Sequence, residues 1–108
     1  MEEIKFRAWD KTWKKMGNVT QLDLPHNDRD FILMQYTGLK DNNDKKIYEG
    51  DILKHEFCYP GIGKVIYEAP SFRVIGDDND IWLGHCAKNR RKVIGNIYEN
   101  PELLKEKI

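Results

Sequence analysis

The sequence predicts a mainly-β fold: a small antiparallel barrel or sandwich-like domain with a short C-terminal helix. Three observations predict it. Short apolar stretches alternate with polar residues, clusters of Gly, Pro, Asn and Asp interrupt them roughly every ten residues, and Asn100-Pro101 has the chemistry of a helix start. Strands separated by turns in this way point to an antiparallel all-β architecture rather than repeated βαβ units. The 108 residues suit one domain, and with 40% hydrophobic residues a real core is available.

The elements follow in order. Ile4, Phe6 and Ala8 share one face of a first strand and Lys5, Arg7 and Trp9 the other. Asp10-Lys11-Thr12 supplies a turn, a return strand runs from Trp13 to Met16, and Gly17-Asn18 turns the chain again. Val19, Leu22 and Leu24 continue a weak extended pattern before a loop at Pro25-His26-Asn27-Asp28. The stretch from Phe31 to Thr37 is the densest in apolar residues and is expected near the centre of the core. Asp41-Asn42-Asn43-Asp44 reads as a turn, because Asn and Asp bond their own local backbone and tolerate left-handed geometry.

Beyond it, Ile47-Tyr48, Ile52 to Phe57, Val65-Ile66-Tyr67, Phe72 to Ile75, Ile81-Trp82-Leu83 and Val93 to Tyr98 read as further strands. Asn100 as N-cap, Pro101 at the first helical position, Glu102 at the positive end and Lys105 and Lys107 at the negative end predict the closing helix. Leu103 and Leu104, with Ile108, would dock it onto the sheet or onto another subunit.

Eighteen basic residues offset eighteen acidic ones, so a global attraction to nucleic acid or anionic lipid has little support, although a local patch could still bind. No apolar run approaches the roughly 20 residues a membrane helix needs, and the start is acidic where a signal peptide would be basic. A soluble, cytoplasmic protein is expected. Cys58 and Cys86 are too few for a disulfide framework, and reduced thiols are the default.

Lys5-Phe6-Arg7-Ala8-Trp9-Asp10, the stretch from Leu33 to Asp41, Ile47-Tyr48-Glu49-Gly50-Asp51-Ile52 and the stretch from Val93 to Leu104 together resemble the YopX family of phage and prophage proteins. The resemblance implies a small, mostly-β protein in a phage or prophage setting, and it brings no catalytic residues. The segments from Gly17 to Asp30 and from His55 to Lys92 fit the family pattern poorly, and partner specificity could reside there.

Several constellations could carry chemistry. His26, His55, Cys58, His85 and Cys86 are potential zinc ligands, but their spacing sends neighbours to opposite strand faces, and no CxxC or HxxxH pair occurs. A Cys/His nucleophile pair would have to meet across strands, and no nucleophile elbow, Walker loop or dinucleotide turn is present. Asp77 to Asp80 and Asp41 to Asp44 offer oxygen ligands without the glycine and distal glutamate of a calcium loop, and they sit where hairpins need turns. No metal or cofactor is therefore expected.

Lys88, Arg90, Arg91 and Lys92, close to Trp82 and Tyr98, form a basic run that could bind nucleic acid, although a self-compensating solvated face is the blander reading. Trp9 and Trp13, if both outward on the first hairpin, would make an apolar patch better explained by a partner than by solvent. The sequence thus predicts one domain over residues 1–108, a non-enzymatic protein-binding module that self-associates. Trp9, Trp13, Leu103 and Leu104 are its interface candidates, with a host or phage protein as a further partner. A nucleic-acid-binding regulator using Lys88, Arg90, Arg91 and Lys92 is the alternative.

Overall fold

The computed structural model describes residues 5–19, 31–56, 60–76, 80–85 and 87–104. His26, Cys58, Cys86, Asp77 to Asn79, Lys105, Lys107 and Ile108, with the pattern through Leu22 and Leu24, lie outside them. Among the described residues, nine strands form two antiparallel sheets. The first holds β1 (Phe6–Asp10), β2 (Lys15–Val19), β3 (Phe31–Lys40) and β4 (Lys46–Tyr48), in the order β2-β1-β3-β4. The second holds β5 (Asp51–Glu56), β6 (Pro60–Glu68), β7 (Ser71–Ile75), β8 (Asp80–Trp82) and β9 (Arg91–Asn96), in the order β8-β7-β6-β5-β9. The predicted mainly-β, antiparallel fold is the observed one. Where a C-terminal helix is predicted, the described residues form a 3-10 turn, Pro101–Leu104, lying against β6.

The core lies mainly on the inner face of the second sheet, closed by the β3–β4 hairpin. Ile47, Leu53, Val65, Val74, Leu83 and Val93 cluster there, with Leu39, Phe72 and Ile81 packed against them. Fully burying each such side chain contributes about 1.5–3 kcal/mol. The register explains the cluster, because Leu53 stands opposite Val93, and Val74 opposite both Val65 and Ile81. The stretch from Phe31 to Thr37 is less central than its composition predicts. Met34 and Tyr36 are buried, Phe31 and Ile32 are half-buried, and Leu33 is exposed, because strand alternation turns Leu33 to the face opposite that of Met34 and Tyr36.

The first hairpin also departs from the expected alternation. Arg7, Ala8 and Trp9 are all buried, so β1 is covered on both faces. Its turn is longer than Asp10-Lys11-Thr12, and the chain runs straight through Gly17-Asn18, with Gly17 opposite Ala8.

Two joints hold the sheets together. At the first, Arg7 of β1 forms a buried ion pair with Asp51 of β5 at 2.7 Å, and the Tyr48 N–H donates to the other Asp51 oxygen at 2.8 Å. Gly50 sits beside this pair with φ of +91°, and its N–H donates to the Val65 carbonyl. A Cβ at Gly50 would meet the Met34 sulfur at 2.9 Å, so both conformation and space require glycine.

At the second joint, Asp41 is 1% exposed and accepts three backbone N–H bonds. Oδ1 takes those of Asn43 and Lys45 within its own turn, and Oδ2 takes that of Val93 on β9. The Asn42 N–H donates to the Arg91 carbonyl beside it. Burial opposes ionisation of Asp41, but the three donors and nearby Lys45 outweigh it and hold the carboxyl below the usual value.

Candidate binding groove

A groove of about 1180 Å³ runs between the second half of β3 and the β6–β7 hairpin, reaching β8 and the 3-10 turn Leu83–His85 that follows it. Tyr67 and Phe72 face each other in register and their rings meet at 4.9 Å. They lie on the same strand face as the buried Val65–Val74 pair, at the end nearest the turn, where the core runs out. Tyr67 is therefore 47% exposed. Trp82, 50% exposed and opposite Arg73 on β7, also lines the groove, with its ring against Gly84.

The rim carries both signs. Arg73 pairs with Asp80 at 2.5 Å and lies 4.0 Å from Glu68, while Lys40 lines the β3 side. Such a surface offers apolar area framed by polar groups, which suits binding better than proton transfer. The sequence places Tyr67 in a strand and sets Trp82 close to the basic run, with nothing that joins the two. The signal for the groove is Tyr67 and Phe72 flanking the turn at Glu68–Ser71, which places two aromatics opposite one another at a hairpin end.

The residues expected to form sites are placed differently. Trp9 is buried and stacks on Tyr98 at 5.5 Å between ring centres, which removes it from any outward patch. Trp13 is 72% exposed in the turn after β1. Leu103 and Leu104 are half-buried in the 3-10 turn against β6, so they dock onto the domain's own sheet.

The basic run is dispersed. Lys88 pairs with Asp44, and the Arg90 guanidinium donates to the Glu56 carbonyl at 3.4 Å. Arg91, at the start of β9, turns inward, is 6% exposed and donates to the Lys40 carbonyl at 2.8 Å, so it cannot serve as a surface phosphate ligand. Lys92 is exposed. The cause is the local geometry: a 3-10 turn, Lys88–Arg90, passes into a strand whose alternation sends neighbouring side chains to opposite faces.

Among the described residues no group of three or more His, Cys, Asp or Glu side chains could hold a metal ion. His55 is 2% exposed on the core face of β5, opposite Arg91, and among the described residues neither ring nitrogen has a hydrogen-bond partner. Burial pushes its pKa below 6.5. The folded state therefore keeps the ring neutral where the unfolded chain takes up a proton, and stability is expected to fall as pH drops below 6.5 towards the folded-state pKa. Urea unfolding midpoints measured between neutral and mildly acidic pH should show this fall, and His55→Phe should flatten it.

A family model described as YopX protein matches residues 23–105 of this chain. The chain belongs to the YopX family. The crystal structure of protein EF1440 from Enterococcus faecalis is similar over 96% of this chain and 99% of that one, with 27% identity and a TM-score of 0.65. Comparison with the curated proteins gives no match.

Three of the stretches by which the sequence resembles YopX proteins meet at the inter-sheet joint, while the second, from Leu33 to Asp41, supplies the β3 wall of the groove. The first supplies Arg7 and Trp9, the third Tyr48, Gly50 and Asp51, and the last Tyr98, which stacks on Trp9. The Arg7 guanidinium also lies 4.8 Å from the Tyr48 ring centre and donates to the Glu49 carbonyl. Asn96 completes the arrangement by accepting the N–H groups of Tyr98 and Glu99, so the last stretch is held as a compact turn. These YopX motifs build the fold's joint. The opposite wall of the groove, drawn from residues 67–84, lies inside the segment that fits the family pattern poorly.

Proposed function

We propose that this YopX protein is a non-enzymatic protein-binding module that self-associates through the aromatic groove, acting as a phage or prophage accessory protein in the cytoplasm of a bacterial host. The observation that carries the reading is the exposure of Tyr67 and Trp82, which both line one groove. Large exposed aromatics on a small domain are better accounted for by a partner surface than by water. A second copy is the favoured occupant. The chain has a formal net charge of zero, so copies do not repel one another. Lys40 and Arg73 line the groove and Arg73 is paired with Asp80 and near Glu68, so charges of both signs stand at or beside it, which lets a two-fold contact set unlike charges together.

Sedimentation equilibrium over a wide concentration range tests the reading. The expected mass rises from 12.8 kDa towards twice that value. Replacing both Tyr67 and Trp82 by alanine should weaken association about thirtyfold, the effect of losing a hot spot of about 2 kcal/mol. A protein that stays monomeric at the highest attainable concentration, or a double variant that associates like the parent, overturns it.

A further inference from the structure

We infer that the tip of the β1–β2 hairpin is a contact site for single-stranded nucleic acid, with Trp13 as a stacking platform and Lys11, Lys14 and Lys15 as phosphate contacts. The tip is built rather than loose. Asp10 Oδ1 accepts the N–H groups of Thr12 at 2.9 Å and Trp13 at 3.1 Å, and the Lys14 N–H donates to the Asp10 carbonyl at 2.7 Å. Lys14 adopts a left-handed φ of 55°, a conformation a lysine seldom takes. The turn thus spends the Asp10 carboxylate on backbone donors and presents Trp13 to solvent.

Lys11, Thr12, Lys14 and Lys15 flank Trp13 along the hairpin tip and are all exposed. Among the described residues no carboxylate forms an ion pair with any of the three lysines, in contrast to Lys88 and Arg73. One exposed indole framed by three cations is complementary to a base with its flanking phosphates. Stacking supplies sequence-tolerant attraction, and charge supplies the long-range part. A single strand is favoured over a duplex because the indole needs an unstacked base face. It is favoured over a lipid surface because, among the described residues 10–15 of the tip, Trp13 is the only apolar side chain, too little to bury in an acyl layer. The site lies by Phe31 at the start of β3, away from the groove at the other end of that strand.

The test uses the full chain with a labelled mixed-sequence single-stranded DNA oligonucleotide, read by fluorescence anisotropy. The matching duplex and phosphatidylglycerol vesicles serve as competing surfaces. Single-stranded DNA should bind, and log affinity should fall against log salt with a slope of about −2, as three phosphate contacts on a single strand require. Trp13→Ala should weaken binding about tenfold or more. Changing Lys11, Lys14 and Lys15 together to glutamine should bring the slope near zero. Because these side chains are exposed, both variants should keep the parent's unfolding midpoint, while Lys54→Gln, which removes an exposed cation of β5, should keep the parent's DNA affinity. No binding, an unchanged affinity in Trp13→Ala, preference for the duplex, or retention on vesicles instead of DNA overturns the proposal.

Discussion

Replacing Asp51 by alanine should lower the unfolding free energy by about 3–5 kcal/mol, the range for breaking a buried ion pair on one side. The change leaves the Arg7 guanidinium buried without its counter-charge and the Tyr48 N–H without its acceptor. Arg7 Nε already lacks a hydrogen-bond partner among the described residues, so the remaining cation has few other groups to satisfy it. Burial pushes the Asp51 carboxyl up, against the pull of Arg7 and the Tyr48 N–H, which shows that desolvation is the larger influence on this carboxyl. The pair is thus better understood as fixing how β1 meets β5 than as a large net source of stability. An Arg7→Met, Asp51→Leu double variant should recover a substantial part of the loss. Urea unfolding followed by tryptophan fluorescence measures both. A single variant as stable as the parent would show that the joint contributes little.

The Asp41→Ala protein should be the next most damaged, by about 2–4 kcal/mol, since three backbone donors lose one charged acceptor and at least the Val93 N–H stays buried. The lowered pKa sets the pH dependence. Asp41 contributes its full stability above its unfolded value of 3.8, and that contribution is lost as pH falls below 3.8 through the lower folded value. Asp41→Asn keeps the acceptor oxygen for one side of the joint and should fall between parent and alanine. Hydrogen exchange at the Val93 amide distinguishes local from general damage, with protection expected to drop there first. An Asp41→Ala protein with parental protection at Val93 would contradict the assigned bond.

The fold class was legible because a strand's period of two and the chemistry of its turns are local properties. Asp41-Asn42-Asn43-Asp44 does form the β3–β4 turn, and Asp44 adopts the left-handed φ of 63° that such residues tolerate. What stayed hidden depends on distant partners. No spacing in the sequence links Arg7 to Asp51 or Asp41 to Val93, and a charged residue on an alternating strand reads as solvent-facing until its counter-charge is placed. Trp9 was misread for the same reason, since its cover, Tyr98, comes from the far end of the chain. The basic run failed differently. Adjacent cations look like a patch in sequence, but entry into β9 turns Arg91 inward. Of the groove, the hairpin carrying Tyr67 and Phe72 was legible, and its gap from β3 was not.

The bonds from the Asp41–Asn42 turn to Arg91 and Val93 have a consequence for aggregation. β9 ends the second sheet, and an end strand ordinarily offers its outer N–H and C=O groups to any other extended chain. Here the Arg91 carbonyl and the Val93 N–H are already occupied by the protein's own turn. Strand addition at that margin would first have to peel the turn away, so growth of the second sheet from copy to copy is blocked along this stretch. The other margin, β8, is only three residues long, too short to template an extended pairing.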